Sequence, residues 1–576
     1  MKSKLNTSPM CWLFRVSGKE KWNIAFLILV QAFLGISSIL FAWFLRDCID
    51  SAVAGNLNGF ACYAVAMVIL VALQITARAV KRFLDEYTRS GLENCLKTRL
   101  LQQLLTREYA QVTAVHSGEW MNRLTSDVVI VADGMTTILP DLIGTLVRLM
   151  GAVTALLILV PALGYLIVPG GIFLLLFSTV FRRVLKKLHI AIQEADGKLR
   201  ILMSERLAGL LIVRTFAKEK QSIAEAAAQM QAHRKARLKR NRFSNFCNLG
   251  LALAMNGVYM AGVLYCGYGI LVGSLSYGSF TAVLQLIGQV QSPFTSLSAY
   301  LPKFYAMLAS AERLMEAERF EKANAEETLH LEQVKKLYQT QLSAIGLKNA
   351  SFTYLPKVSE QEKDKMPVVL KNVDLRINKG ECVAFTGHSG SGKSTILKLL
   401  MSLYPLDAGK RYLETQDGQR EMLDARYTRL FAYVPQGNHL MNGSIRETVT
   451  FADKSKMSVE PCICRALEIA CALDFVKELP EGIDTILGER GAGLSEGQMQ
   501  RLAIARAVCS DNPILVLDEA TSALDETTEQ KLISNLRNMT DKTILLVTHR
   551  PAMLEMCDRQ IVLKENHIEV IDYGKG

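Results

Sequence analysis

Residues 383–395 read VAFTGHSGSGKST, in which an apolar run leads into the pattern G-x-x-x-x-G-K-S. A helix-forming segment, ILKLLMSLY, follows directly. Glycines at these positions let backbone N–H groups converge on a phosphate at a helix N-terminus, where the helix dipole also favours an anion. The pattern therefore predicts a phosphate-binding loop to which a lysine adds positive charge. The residues expected to line it are Gly387, Ser389, Gly390, Ser391, Gly392, Lys393, Ser394 and Thr395.

A second apolar run, ILVLDE at 514–519, ends in two carboxylates. Two solvated acids after a buried strand would explain this pair equally well if it stood alone. With the phosphate loop upstream, the pair favours nucleotide hydrolysis. Asp518 and the Ser394 hydroxyl would then hold Mg²⁺, and Glu519 would lie beside the attacking water as the general base.

The composition places these motifs in a membrane protein. Half of the 576 residues are hydrophobic, 21% are charged, and the mean hydropathy is +0.18, which excludes disordered, collagen-like and coiled-coil classes. The 12 cysteines form no C-x-x-C pair, so they predict neither a zinc module nor a disulfide framework. Cys48 and Cys62 are the one pair for which a bridge is worth testing.

Long uncharged runs predict the membrane helices. Residues 23–45 carry no charge, and a helix of that length crosses a hydrocarbon core about 30 Å thick. Proline and glycine divide the two longest uncharged stretches, at 149–181 and 243–302. We therefore predict six spans, at about 23–45, 60–78, 137–160, 162–182, 246–271 and 279–301.

Lysine and arginine counts predict the orientation of these spans. The first 22 residues, 78–130 and 182–242 together hold 29 Lys and Arg, whereas the opposite side has Arg46. Both termini and the long helical loops are therefore expected in the cytoplasm. This bias accounts for most of the net charge of +11, so we expect no nucleic-acid partner. The predicted domains are a transmembrane domain at 1–320, a linker at 321–340 and an α/β domain at 341–576.

Almost the whole of 345–565 resembles the ATP-binding cassette (ABC) family. Besides the two nucleotide motifs, the family's characteristic segments occur in the family's order: SFTY at 351–354, VPQ at 434–436, LGERG at 487–491, LSEGQ at 494–498, SALD at 522–525 and THR at 548–550. The resemblance implies that Tyr354 stacks on adenine and that Gln436 links Mg²⁺ and the water to the membrane domain. It also makes His549 the residue that holds the γ-phosphate and Asp525 part of the D-loop.

The membrane half is similar to a type I exporter-fold half-transporter. The resemblance implies two cassettes facing head to tail, with each ATP between one phosphate loop and the other chain's signature, here Leu494, Ser495, Glu496, Gly497 and Gln498. A chain with one cassette then needs a second half-transporter. Short coupling helices near 110–116 and 213–219 would rest on the cassettes, with Phe216 as a candidate contact or, alternatively, packed within its own loop.

The signature departs from the family at Glu496, where glycine is usual. A carboxylate near the γ-phosphate costs Coulomb energy unless it turns away or meets a cation. We favour a homodimer in which Glu496 points outward, where an acid near a helix N-terminus is stabilised. The alternative is a heterodimer in which one ATP site is weakened.

Four polar residues in the predicted spans are candidates for the cargo path. Arg148 lies well inside the third span, an expensive place for a charge, with Asp141 as a possible counter-charge. Gln285, Gln289 and Asn256 could line a central path, although hydrogen bonds between helices explain them equally well.

The expected fold is thus a membrane bundle of six helices joined to an α/β P-loop ATPase domain with a helical subdomain. The expected function is ATP-driven, Mg²⁺-dependent export of an amphiphilic or hydrophobic cargo, such as a lipid, peptide or drug. The setting would be a plasma membrane, most simply the bacterial inner membrane. Two alternatives stay open, namely an exporter-fold importer of a chelated metal and an ATP-gated regulatory or channel-associated protein.

Overall fold

The structure is a computed structural model that describes residues 8–323, 328–354, 368–437, 440–488, 493–555, 557–564 and 567–572. At 162–183, 186, 294–299, 301, 552, 567 and 572 the description covers the backbone alone. The chain forms two compact units. The first contains the chain up to Arg99 together with Arg123–Met315, and the second contains Leu100–Asn122 together with the chain from Glu316 onward.

Long helices dominate the first unit because its apolar runs continue over many turns with few residues that break a helix. Val160 adopts φ −145° and Pro161 occupies the first turn of the next helix, so one helix ends and another begins here, as predicted. The helices that begin in the first unit are α1 (Pro9–Val16), α2 (Glu20–Val53), α3 (Leu57–Thr106), α6 (Val128–Asp133), α7 (Leu139–Leu159), α8 (Pro161–Ala208), α9 (Leu210–Thr215), α10 (Glu219–Leu271) and α11 (Tyr277–Arg319), with π-helical turns at Arg123–Asp127 and Gly134–Ile138.

Four helical stretches among the described residues are long and apolar enough to cross a bilayer: Glu20–Val53, Leu57–Thr106, Ser117–Leu159 and Glu219–Leu271. They contain the spans predicted at 23–45, 60–78 and 246–271, and the span predicted at 137–160 except for its last residue. The other two predicted spans fall in α8 and α11, where many side chains lie outside the described residues. The count of six therefore stays a prediction.

Small residues bring α2 and α7 together. A Cβ atom added to Gly35 would lie 3.1 Å from the carbonyl oxygen of Gly144, so the two backbones approach closely at this point. About two turns further along the two helices, Ala42 on α2 and Ala152 on α7 are fully buried in one apolar cluster. Cys48 and Cys62 are both free thiols.

The second unit begins with two short helices, α4 (Tyr109–Ala114) and α5 (Ser117–Asn122), and continues after α11 as a nucleotide-binding domain. It contains an antiparallel sheet of order β2-β1-β4-β5, a mainly parallel sheet of order β12-β11-β3-β10-β9-β6, and the pair β7-β8. The strands are β1 (Leu342–Phe352), β2 (Leu370–Asn378), β3 (Cys382–Thr386), β4 (Ala408–Thr415), β5 (Arg420–Met422), β6 (Phe431–Val434), β7 (Gly443–Ser444), β8 (Ile486–Leu487), β9 (Ile514–Asp518), β10 (Thr543–Val547), β11 (Arg559–Lys564) and β12 (His567–Asp572).

The parallel strands lie between two apolar cores, which explains their unbroken hydrophobic sequences. Alternate residues of each strand enter opposite cores: on β3, Cys382 and Ala384 face one core, whereas Val383 and Phe385 face the other. The remaining helices are α12 (Leu331–Thr340), α13 (Lys393–Leu400), α14 (Ile445–Val449), α15 (Glu460–Ile469), α16 (Leu473–Glu478), α17 (Glu496–Cys509), α18 (Glu526–Arg537) and α19 (Pro551–Glu555). Of these, α14 to α17 form a helical subdomain.

Candidate functional site

The predicted catalytic motifs meet at one edge of the parallel sheet. The phosphate loop follows β3, the two carboxylates end β9, Gln436 follows β6 and His549 follows β10. Because these four strands are neighbours and run in the same direction, their carboxyl ends lie side by side, where α/β sheets bind ligands.

The phosphate loop has the backbone that its glycines predict. Gly387 adopts φ 138°, and a Cβ atom there would lie 2.5 Å from the carbonyl oxygen of Leu563, so no larger residue fits without a shift. The ammonium group of Lys393 donates to the carbonyl oxygens of Gly387 at 2.8 Å and His388 at 2.9 Å. Burial lowers the pKa of Lys393, whereas the charges of Glu519 and Asp518 oppose that change.

Two hydroxyl groups converge on the buried carboxylate of Asp518. Ser394 donates to one of its oxygens at 2.8 Å, and Tyr433 donates to the other at 3.0 Å. The Ser394–Asp518 contact brings two of the three predicted metal ligands side by side. The role of Tyr433 was not predicted, although its place on β6, three residues before Gln436, is the signal that could have found it. Burial and the neighbouring Asp518 carboxylate raise the pKa of Tyr433.

Glu519 has a strained backbone and a direct contact with Gln436. Its φ of 52° lies in the left-handed region, which residues with a side chain adopt mainly where the surrounding structure enforces it. Its backbone N–H donates to the carbonyl oxygen of Val547 at 3.1 Å, which fixes this conformation. The Gln436 amide donates to the Glu519 carboxylate at 2.6 Å. Two segments predicted to act together therefore touch.

Tyr354 and His549 occupy the two remaining predicted positions in this chain's own site. The hydroxyls of Tyr354 and Thr395 share a hydrogen bond of 2.9 Å, and 37% of Tyr354 is exposed, which leaves surface for a base to stack on. His549 is exposed and makes no side-chain hydrogen bond within the described part of the chain. It is therefore accessible to a phosphate.

The signature residues begin α17. The Ser495 hydroxyl caps the helix by accepting from the Gln498 N–H at 3.3 Å, and the Gln498 side chain accepts from the Ser495 N–H at 2.8 Å. Glu496 is exposed at the first helical position. Leu494 precedes the cap, and 489–492, which includes most of LGERG, lies outside the described residues.

The D-loop is held from two sides by residues that the sequence analysis missed. The Gln500 side chain on α17 donates to the Ser522 hydroxyl at 3.0 Å and accepts from the Ala523 N–H at 3.1 Å. Arg550, next to His549, donates to the carbonyl oxygens of Ser522 and Leu524 and to Glu529. Gly497 lies against this loop, because a Cβ atom there would be 2.8 Å from the Ala523 carbonyl oxygen. Asp525 caps α18.

The membrane candidates divide into bonded and unsatisfied groups. Gln289 on α11 donates to the Ser38 carbonyl oxygen on α2 at 2.8 Å, and Asn256 bonds to Ala252 of its own helix at 2.8 Å. Hydrogen bonding within and between helices thus explains both. The side-chain oxygen of Gln285 is buried and has no hydrogen-bond partner among the described residues.

Asp141 is not the counter-charge of Arg148, so that expectation was wrong. Its carboxylate lies 2.5 Å from the Lys81 ammonium and accepts from Tyr300 at 3.4 Å. Arg148 instead donates to Ser292 at 3.1 Å, and its buried Nε atom has no hydrogen-bond partner in the described chain. Lys81 on α3 takes the carboxylate because helix packing, which sequence spacing does not reveal, places it there.

Two family models match separate parts of the chain. One, the ABC transporter transmembrane region, matches residues 24–294, and the other, ABC transporter, matches residues 370–522. The chain belongs to the ATP-binding cassette transporters. It is a half-transporter that pairs one membrane domain with one ATP-binding domain, and its ATPase is coupled to transport.

The chain matches similar ABC transporters over most of its length. Mouse (Mus musculus) ATP-binding cassette sub-family B member 10, mitochondrial, is 29% identical over 563 residues, which cover 94% of this chain and 74% of that protein. The ATP-dependent lipid A-core flippase of Mannheimia succiniciproducens is 29% identical over 522 residues, covering 88% and 85%. A solved structure of a bacterial Atm1-family ABC exporter with ATP bound has a TM-score of 0.77, 22% identity and coverage of 96% and 95%. It confirms the exporter fold.

Proposed function

We propose that this half-transporter works as a dimer and uses ATP to export an amphiphilic or hydrophobic cargo, such as a lipid, peptide or drug, from the cytoplasmic side of a plasma membrane. The observation that carries the proposal is the contact between Gln436 and Glu519 beside the phosphate loop. This contact joins Glu519, the proposed general base, to Gln436, the residue expected to link the ATP site to the membrane domain. The similar lipid A-core flippase supports an amphiphilic cargo.

In the proposed reaction, Glu519 acts as general base and removes a proton from the water that attacks the γ-phosphate. Lys393 and His549 bind the phosphate oxygens, and Tyr354 stacks on the adenine. Ser394, Asp518 and Gln436 would hold Mg²⁺, since the hydroxyl and carboxylate oxygens that this ion prefers already converge. When bound, Mg²⁺ supplies positive charge that neutralises the phosphates.

A second copy of the chain completes each site in this proposal. The signature residues Ser495 and Gly497 would approach the γ-phosphate bound by the other chain. Glu496 is exposed at the start of α17, which favours the homodimer because the carboxylate can turn to solvent and complement the helix dipole. ATP binding would draw the cassettes together and turn the cavity outward. Hydrolysis would then return the transporter to its starting conformation.

The end of the α8–α10 hairpin supports pairing with a second chain. α9 and the residue after it expose several large apolar side chains, with Leu211 79% and Phe216 70% exposed. Apolar groups gathered at the tip of two helices about 50 residues long are expected to be covered by another surface. We propose that α9 is the second coupling helix and α4 the first.

Arg148 is the strongest candidate for contact with cargo. Between residues 134 and 302 the predicted spans contain one acid, Asp141, and Lys81 already pairs with it. An anionic group on the cargo would give the Arg148 guanidinium the negatively charged partner that the described residues do not supply. Gln285, with its unsatisfied oxygen, is a second candidate.

Reconstitution of the full chain tests the proposal. Purified protein in liposomes would be offered ATP with a panel of labelled lipids, peptides and amphiphilic drugs, and ATPase rate and cargo movement measured together. We expect one class to stimulate the ATPase and to move away from the cassette side, and Arg148→Gln to raise the concentration needed for half-maximal stimulation by an anionic cargo.

Three results would contradict the proposal in different parts. Movement toward the cassette side would indicate import, and stimulation without cargo movement would indicate a regulatory role. Inactivity of the purified chain on its own would indicate a heterodimer.

A further inference from the structure

Three aromatic side chains of the second unit meet around the ring of Tyr404. The ring centroid of Tyr404 lies 5.5 Å from that of Tyr354, 5.6 Å from that of Phe352 and 5.6 Å from that of Tyr109. The interplanar angles of 87°, 66° and 90° are those of edge-to-face packing, the favoured arrangement for aromatic pairs at such distances. Tyr404 therefore touches the proposed adenine-stacking residue on one side and the first residue of α4 on the other.

Tyr404 is held in this place by its backbone. Arg411 on β4 donates to the carbonyl oxygen of Tyr404 at 2.7 Å and to that of Leu399, near the end of the phosphate-loop helix α13, at 3.2 Å. Burial raises the pKa of Glu108, the residue before α4, and the positive charge of Arg411 opposes that rise. The beginning of α4 is linked to this part of the nucleotide-binding domain by the contact between the Tyr109 and Tyr404 rings.

The beginning of α4 is fixed on its other side by the segment that follows α11. The Glu108 N–H donates to the carbonyl oxygen of Glu321 at 3.0 Å, and the Ala323 N–H donates to that of Thr106 at 3.1 Å. The Arg107 guanidinium adds a bond of 2.7 Å to the Phe320 carbonyl oxygen. These backbone bonds hold the beginning of α4 in place. A change in the orientation of the Tyr404 ring, which touches Tyr109, would therefore act directly on α4.

Tyr354 itself has restricted freedom. Its hydroxyl is bonded to Thr395, and its ring packs at 4.9 Å against buried Phe352, which leaves an exposed face for a base. A base stacked on that face restricts the ring further, and edge-to-face contacts are sensitive to ring orientation. Tyr404 contacts both this ring and Tyr109 at the beginning of α4.

We propose that Tyr404 is a positioning residue that transmits occupation of the base-binding face of Tyr354 to α4, so that α4 responds to the nucleobase as well as to the phosphates. The inference rests on the proposed adenine-stacking role of Tyr354. The ligand that acts through Tyr354, Tyr404 and α4 is a purine nucleotide. A polyphosphate without a base would fill the same phosphate loop but would not act through this relay of three contacts.

Hydrogen exchange of the α4 amides tests the inference in the full chain embedded in lipid nanodiscs. The Glu519→Gln background prevents turnover, and saturating Mg-ATP is compared with saturating Mg-tripolyphosphate. We expect both ligands to protect the phosphate loop, and ATP to slow exchange in 110–114 by about fivefold more than tripolyphosphate, the effect of one aromatic contact on an equilibrium. Equal protection of α4 by the two ligands would overturn the inference.

Variants locate the effect in the ring of Tyr404. Tyr404→Leu should abolish the extra protection of α4 by ATP while the phosphate loop stays protected, and Tyr404→Phe should restore it because the ring remains. Tyr109→Leu, at an exposed ring, should have the same effect as Tyr404→Leu and keeps the test valid if Tyr404→Leu does not fold. Undiminished α4 protection in either leucine variant would refute the relay.

Two further variants separate the possible failures. Phe320→Leu removes a different aromatic contact of the 100–122 segment, with Trp120, and should keep the difference between ATP and tripolyphosphate. Tyr354→Leu should weaken ATP binding relative to tripolyphosphate. If Tyr354→Leu binds ATP as well as the wild type does, the adenine-stacking role is refuted. If Tyr354→Leu weakens ATP binding but Tyr404→Leu keeps the extra protection of α4 by ATP, the relay alone is refuted.

Discussion

Glu529 in the nucleotide-binding unit and Asp141 in the membrane unit are both shielded carboxylates paired with one cation. Arg550 lies 2.7 Å from Glu529 and also donates to two carbonyl oxygens of the D-loop, whereas Lys81 lies 2.5 Å from Asp141, whose other partner is the Tyr300 hydroxyl. The first pair is tied to backbone, the second to side chains on helices. The D-loop is therefore held partly through its main chain, whereas the membrane pair depends on contacts between side chains.

The largest effect is expected at Glu519, the proposed general base of the nucleotide-binding unit. Glu519→Gln should keep ATP binding but lower turnover by about a thousandfold, because the amide cannot accept the proton of the attacking water. ATPase rate and ATP affinity of the reconstituted chain measure this, with Glu526→Gln, an exposed acid nearby, as the control. Unchanged turnover in Glu519→Gln would refute the assignment.

The Arg550–Glu529 pair measures how far the D-loop depends on a buried charge. Arg550→Ala leaves the Glu529 carboxylate, 4% exposed, without its cation and removes two bonds to the D-loop. We expect a loss of about 3 kcal/mol in the free energy of unfolding. Thermal unfolding of the full chain, with exposed Arg537→Ala as control, is the measurement, and an effect below that of the control would contradict the comparison.

The Lys81–Asp141 pair should be weaker because its carboxylate is less buried, with Asp141 15% exposed and Glu529 4% exposed. Lys81→Met is expected to cost about 2 kcal/mol by leaving Asp141 unpaired. The double variant Lys81→Met with Asp141→Leu should recover most of that loss, since no unpaired charge remains. A double variant less stable than Lys81→Met would show that the pair stabilises the bundle on its own account.

Tyr433 refines the comparison within the nucleotide site. Tyr433→Phe keeps the ring but removes one of the two hydroxyls that hold the Asp518 carboxylate. Since a hydrogen bond to a charged group contributes about 1.5 kcal/mol, the dissociation constant of Mg-ATP should rise about tenfold. Binding of ATP without Mg²⁺ should change less. An equal change under both conditions would indicate a general packing defect.

The smallest expected effect is a pH dependence at the D-loop. Hydrogen bonds from the Thr527 hydroxyl and the Thr528 N–H hold the pKa of Asp525 well below its usual range. A carboxyl whose pKa is depressed in the folded state stabilises the fold above about pH 4, and that contribution is lost as the pH falls through the folded-state pKa. The difference in melting temperature between the wild type and Asp525→Asn should therefore shrink from pH 6 to pH 3.5; a constant difference would contradict it.

Most of the nucleotide site could be predicted because its requirements are local. Gly387 must adopt a positive φ, Lys393 and Ser394 must begin a helix, and Asp518 must end a buried strand, so each requirement leaves a trace in a short stretch of sequence. Gln500 and Arg550 left no such trace, and Tyr433 left only its position three residues before Gln436. Their partners lie on other strands and loops, and an isolated tyrosine, glutamine or arginine is compatible with many roles.

The sequence alone determined the apolar helices, the buried strands that lead into the predicted site residues, and the phosphate loop, since hydrophobic period and glycine placement act over a few residues. Tertiary structure decided which distant groups meet: Lys81 rather than Arg148 on Asp141, Arg550 on the D-loop, and Tyr404 between Tyr354 and α4. These contacts join segments far apart in the chain. They depend on how helices and sheets pack, and a shift of one residue in that packing would replace each partner with another.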